Sequence, residues 1–171
     1  NNLCGALEFS ESIAKSKTQP IIGIQLNIKF LNTIAKIPLF AKNLEGYKNL
    51  IKLSSKSYLE IAENEESHCT INDIIENSSG LILLSGPSDG LIGQLFTKNL
   101  TDEIYNIINK LKTSFKDNLY LEIQRHNDEG EKNFEQFLLE MSENFLYRSG
   151  KHSFYHESIK FQTDSTLPPL E

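Results

Sequence analysis

The sequence predicts an α/β fold with mostly parallel strands alternating with helices, and three observations carry that expectation. Ile22, Ile24, Leu26 and Ile28 alternate with Gly23, Gln25 and Asn27, the period of a strand with one buried face. Leu81–Leu84 is an unbroken apolar run between Gly80 and Gly86, which reads as a strand buried on both faces, typical of a parallel sheet. Between and after these runs, apolar residues recur every three or four positions, the period of helices packed on such a sheet.

Taken in order, residues 5–16 place Ala6, Phe9, Ile13 and Ala14 at helical spacing, and Pro20 closes the connection to the first strand. Residues 36–42 form a second apolar run, in which Pro38 argues against a central strand. Asn43 is placed to cap the next helix, which carries Leu44, Tyr47, Leu50, Ile51, Tyr58 and Ile61 and is expected to break near its serines. A polar loop over 63–69 follows, and Thr70 caps a short helix, INDIIEN. The Leu81–Leu84 strand runs into a turn at Ser85-Gly86-Pro87. Helices are then expected over 89–96 and over 101–114, the second capped by Thr101. Asn118–Arg125 reads as a strand by alternation. Residues 130–146 read as a helix with Phe134, Phe137, Leu138 and Met141 on one side, and the segment from about Tyr147 as a loop-like tail. The resulting order is α, β, β, α, α, β, α, α, β, α.

Composition narrows the function. The 171 residues carry 17 Lys and Arg against 23 Asp and Glu, a net charge of −6 with no tail of one sign, which argues against gripping bare nucleic acid by net charge. No apolar run is long enough to span a bilayer, and no basic-then-apolar leader opens the chain. The two cysteines, Cys4 and Cys69, make neither a disulfide framework nor a metal knuckle. The expectation is a soluble, cytoplasmic protein with no membrane partner. Asn1 opens the chain and Met141 is its single methionine, the pattern expected of a piece of a longer protein.

Spacing alone offers little chemistry. His152 and His156 stand at i, i+4, a spacing able to hold one metal on a helix, but no third ligand accompanies them, and they read as exposed tail residues. His126, flanked by Arg125 and Asp128, follows a strand, and strand ends are where α/β proteins place sites, so it is a polar-cluster candidate. His68, Glu65, Glu66, Asp128 and Glu129 read as solvated. Ser85-Gly86-Pro87-Ser88-Asp89-Gly90 is a strand-to-helix turn without the GK[ST] of a P-loop.

Five stretches in order add more: NNLCGALEF (1–9), QPIIGIQLNI (19–28), LFAKNLEGYKNLIKLSSKSYL (39–59), GLILLSG (80–86) and DNLYLEIQRHN (117–127). Together they resemble the PHP (polymerase and histidinol phosphatase) domain found in the α subunit of bacterial DNA polymerase III. The resemblance covers about 1–146 and leaves 147–171 as a divergent tail. It implies a distorted (β/α)7 barrel, here lacking its first strands together with an opening HxH pair and an aspartate–histidine pair of metal ligands.

At the family ligand positions that remain, the resemblance places a glutamate where this chain has Gln25, a histidine where it has Lys36, and a cysteine where it has Pro87. An amide is a poor replacement for a carboxylate ligand, lysine brings a positive charge, and proline has no side-chain donor. The final NDxH motif has no counterpart in YRSGKHSFYHESIKF. The resemblance therefore implies a metal-free, catalytically silent scaffold within a DNA-directed DNA polymerase, whose magnesium belongs to a later domain. The implied partners are the rest of the α subunit in cis, a proofreading exonuclease subunit and other replicase components, with DNA reached only through the parent protein. The competing reading is a metal-dependent phosphoesterase or 3′–5′ exonuclease, which needs those lost ligands. Metal content separates the two, and co-purification with polymerase or exonuclease subunits separates the scaffold from an unrelated α/β binding protein.

Overall fold

A hairpin organises the sheet. In the computed structural model, which describes residues 2–59, 61, 64–126 and 129–149, strands β1 (Gly23–Phe30) and β2 (Thr33–Ala41) are joined by two residues, Leu31 and Asn32. So short a link permits only antiparallel pairing, with Gly23 opposite Phe40 and Phe30 opposite Thr33. Strand β3 (Leu81–Leu84) lies antiparallel on the far side of β2, and β4 (Leu119–Tyr120) lies parallel to β3. The order among the described residues is β1-β2-β3-β4 in an open sheet. Two of its three pairings are antiparallel, which differs from the mostly parallel sheet expected. The βα alternation remains, but the hairpin inverts the direction of β2.

Pro38 lies in a central strand despite lacking an N–H. The Ala41 amide bonds Ile22 O in the β1 direction at 2.8 Å, and the Lys42 amide bonds Gly80 O in the β3 direction at 2.9 Å. By strand alternation, position 38 shares the parity of 42 and faces β3. The β2–β3 register ends at Leu39 opposite Leu83, one residue before the proline would owe a hydrogen bond. Strand β3 also differs from expectation: Leu81 and Leu83 are buried while Ile82 and Leu84 are half-buried, so one face is the more covered. The last strand is shorter than the predicted 118–125. Beyond Tyr120 the Glu122 amide donates to the Ser85 hydroxyl at 2.9 Å instead of a strand carbonyl, because the chain after β3 turns away at Gly86.

The helices among the described residues are α1 (Ala6–Lys15), α2 (Leu44–Leu59), α3 (Ile71–Glu76), α4 (Leu91–Thr97), α5 (Thr101–Phe115) and α6 (Glu131–Ser149), with a 3-10 turn at Lys116–Asn118. Asn43 caps α2 by accepting from Gly46 N at 2.9 Å, and α2 is unbroken at its serines. Thr70 and Asp73 cap α3 reciprocally. Thr101 does not cap α5: it is the first helical residue, Leu100 precedes it, and no side chain caps that end. Helix α6 continues to Ser149, past the point where a loop was expected.

The core joins one sheet face to the helices. Ile24, Leu26 and Ile28 of β1, Ala35, Ile37 and Leu39 of β2, and Leu81 and Leu83 of β3 pack with Leu50 and Leu53 of α2, Leu91, Ile92 and Leu95 of α4, and Ile104, Ile107 and Leu111 of α5. Phe134, Leu138 and Met141 bring α6 into the same core, and Phe96 stacks against Phe134 and Phe137 at 5.5 and 4.8 Å between ring centres. Helix α2 meets the sheet through a glycine contact: a Cβ on Gly46 would stand 1.9 Å from Gly80 O, so only glycine fits. Helix α1 buries no residue, and Leu7 and Phe9 are exposed. No helix among the described residues is long and apolar enough to cross a membrane.

Candidate functional site

Side chains of the opposite parity form the second face of the sheet. On it Gln25 stands opposite Pro38, and Asn27 opposite Lys36. Gln25 and Lys36 are therefore diagonal neighbours on one face, and both are exposed. The turn after β3 reaches the same place. Gly86 has φ +84°, and a Cβ there would meet Pro38 Cδ at 3.4 Å. A Cβ on Gly90 would stand 3.2 Å from Lys36 O and 3.1 Å from Pro87 O. The turn carrying Pro87 thus lies against the stretch of β2 that carries Lys36, and Gln25, Lys36 and Pro87, scattered in sequence, gather around Pro38.

Their chemistry does not fit a metal. The set offers one neutral amide oxygen, one ammonium and one imino acid without a side-chain donor, where a zinc or manganese centre is built on carboxylate, imidazole or thiolate donors. No group of three His, Cys, Asp or Glu among the described residues is placed to hold a metal ion.

The far side of the same turn builds a polar cluster. Ser85 is buried, its amide donates to Tyr120 O at 2.9 Å, and its hydroxyl accepts from Glu122 N. Glu122 Oε1 accepts from Gln124 Nε2, while Glu122 Oε2 is buried without a hydrogen-bond partner among the described residues. Glu122 and Gln124 line a small cleft together with Pro87, Ser88, Glu131 and Phe134. His126, the candidate from sequence, is exposed at the rim. Its amide donates to both oxygens of Glu131 at 2.8 and 2.9 Å, and its Nε2 lies 3.2 Å from Gln124 Oε1. Its neighbour Arg125 forks onto Glu135, and that hydrogen bond and charge hold the Glu135 carboxyl below the usual carboxylate range, with burial pulling the other way. Asp128, the other flank expected for His126, lies outside the described residues, as do His152 and His156.

Sequence reading missed Ser85, Glu122 and Glu131. In sequence Ser85 reads only as part of a turn, and Glu122 only as one position of the alternating 118–125 stretch. The one available signal for Glu131 was its place at the head of a helix, just after Gly130, where a carboxylate can collect backbone N–H groups. The loop histidine was also misjudged. His68 is tucked in with about 10% of its side chain exposed, and its Nδ1 lies 2.8 Å from Glu66 O. Glu65 and Glu66 are exposed but engaged: Lys29 pairs with Glu65 at 2.9 Å, and Asn27 donates to Glu66 at 3.0 Å.

The sequence is similar to known proteins. The family model described as PHP domain matches residues 1–126. The DNA polymerase III subunit alpha of Rickettsia prowazekii (strain Madrid E) is 32% identical over 170 residues, covering 97% of this chain and 14% of that protein. The subunit of the same name from Rickettsia felis (strain ATCC VR-1525 / URRWXCal2) is 38% identical over 126 residues, 73% of this chain and 10% of the relative. That from Vibrio cholerae serotype O1 (strain ATCC 39315 / El Tor Inaba N16961) is 33% identical over 150 residues, 84% and 13% of the two. The chain thus spans about a seventh or less of the curated relatives it matches.

Proposed function

The chain belongs to the PHP domain family, and from that premise we propose that it is a metal-free scaffold piece of a replicative DNA polymerase III α subunit. The observation that supports this reading is the convergence of Gln25, Lys36 and Pro87 around Pro38 on a sheet whose opposite face keeps a full core. The fold has been kept where it packs, and the donor chemistry has gone where a metal would sit. An isolated ligand change can be compensated, but a centre of two or three metals would have to survive an amide, an ammonium and a proline together. The phosphoesterase or exonuclease reading lacks its ligands at these positions.

On this proposal the chain works in the cytoplasm as a brace and docking module. It packs against the rest of the α subunit in cis and presents surface to a proofreading exonuclease subunit and other replicase components. Polymerisation, its magnesium and its DNA contacts belong to other parts of the parent protein. Elemental mass spectrometry after equilibration with zinc and manganese tests the central claim. Uptake below ~0.1 metal per chain is the expected result, as a folded protein without a donor set retains none. Two or more tightly held metals per chain would return the phosphoesterase reading to the lead.

A further inference from the structure

Four residues other than glycine have a positive φ among the described residues, and three of them follow helices. Lys17, Asn99 and Lys116 stand just past α1, α4 and α5, where a left-handed residue commonly ends a helix. Leu31 does not. It has φ 52° in the two-residue link between β1 and β2, and Asn32 beside it has no positive φ. That is the pattern of a type II′ turn, whose first central position belongs to glycine. Leucine is strained there, because its Cβ crowds the following carbonyl oxygen. The residue is also 56% exposed, so the strained conformation does not bury it in the core. The tip is nevertheless held firmly. Phe30 pairs with Thr33 across it, Thr33 is buried, and Lys98 at the end of α4 donates to the Thr33 hydroxyl at 2.6 Å. An ammonium has three donors, and no carboxylate among the described residues pairs with Lys98. The outer edge of β1 is occupied at this end, where the Lys29 amide donates to Cys69 O at 2.9 Å.

We propose that Leu31 is a docking anchor: the hairpin tip inserts it into an apolar pocket, rimmed by a carboxylate for Lys98, on the rest of the polymerase α subunit. The inference rests on the scaffold reading and extends it by naming the surface that docks. Strained residues gather at ligand clamps and contact sites, where the surroundings over-determine them. Strain and exposure both destabilise the free fold, and burial of the leucine by a partner offsets both. Charge selects the rim. The Lys98 ammonium stands beside the tip, and a neutral pocket would take it out of water without a counter-charge. A two-fold contact between the tips of two copies would set one Lys98 near another, so the occupant is a different surface.

Urea unfolding of the whole chain tests the strain. Leu31→Asn brings a side chain that tolerates a left-handed backbone, and it should raise the folding equilibrium constant about fivefold, read as a higher midpoint at constant slope. An unchanged or lower midpoint overturns the proposal, because Leu31 would then serve the fold itself. Thiol labelling tests the docking. Leu31→Cys is treated with a maleimide in this chain and in the full α subunit that contains it, and mass spectrometry follows the peptide carrying residue 31 apart from Cys4 and Cys69. Labelling should be at least about tenfold slower in the subunit, as for a side chain sealed from water in a partner's pocket. Equal rates overturn the proposal. Adding Lys98→Met should bring back fast labelling in the subunit, while Lys98→Arg, which keeps the charge, should not. Equal rates for those two variants overturn the carboxylate rim. The anchor and the scaffold reading fail separately: retained metal overturns the scaffold, whereas an open tip in a metal-free subunit overturns the anchor alone.

Discussion

The two faces of strand β2 differ: one is buried from Thr33 to Leu39, and the other passes from half-buried Ile34 through exposed Lys36 to buried Pro38. Ala35, Ile37 and Leu39 are buried under helices, while Lys36 between them is exposed, with Gln25 and the Pro87 turn as its surroundings. The buried face is constrained by volume, since interiors pack as tightly as organic crystals and respond to a single lost methylene. The open face is constrained by chemistry only if it holds something. On the proposed reading, Gln25 and Lys36 stand on a face where the pattern of the fold persists without a metal ligand set.

The largest expected effect breaks the buried side of this comparison. Ile37 is fully buried in mid-sheet, so Ile37→Ala should cost about 2–5 kcal/mol, read as a lower urea midpoint at constant slope. A smaller loss would mean that the core relaxes into the gap and is less tightly packed than the burial implies.

A middle-sized effect comes from the helix cap. Burial raises the Asp73 carboxyl, but the Lys56 ammonium at 2.7 Å and the Thr70 N–H and hydroxyl outweigh it and hold the group below its ordinary 3.8. A carboxyl depressed in the folded state contributes its full stability above that ordinary value, and loses it as pH falls through the folded value. Asp73→Ala should therefore cost about 1–2 kcal/mol near neutral pH, and the gap to wild type should close below about pH 4. Urea unfolding at several pH values reads both, and a gap that is flat with pH would mean that the charge is not what stabilises the cap.

The smallest effect sharpens the open side. Lys36→Ala should change stability by no more than about 0.5 kcal/mol, as an exposed residue without a structural partner does. A loss of the Ile37 size in the same urea assay would show that the open face carries structural load, and would remove the distinction between the two faces.

Much of the fold was legible because short-range patterns decide it. The order of helices and strands follows from periodicity, and the caps at Asn43 and Thr70 from their residue types. What could not be read were pairings set by distant partners. The tolerance of Pro38 depends on where β3 stops, and the early end of β4 depends on a serine hydroxyl on another strand. His68 looked solvated because its neighbours are acidic, whereas its burial comes from the loop folding back on β1. The candidate site divides in the same way. The identities at 25, 36 and 87 were visible one by one, but their meeting around Pro38 is a product of register and of the glycine turn.

The two-residue link between β1 and β2 also sets an order of events during synthesis. A hairpin of this kind closes in about 1–10 μs and needs nothing beyond Ala41. The parallel partner of β3 begins at Leu119, which a ribosome adding about 5–20 residues per second reaches on the order of 4–16 s after Ala41. Well before that, α2 (Leu44–Leu59) follows and covers the apolar stripe of Ile24, Leu26, Ile28 and Ile37 that the nascent hairpin shows. Translation therefore covers this stripe with α2 first and delivers the remaining packing helices, α4, α5 and α6, only later.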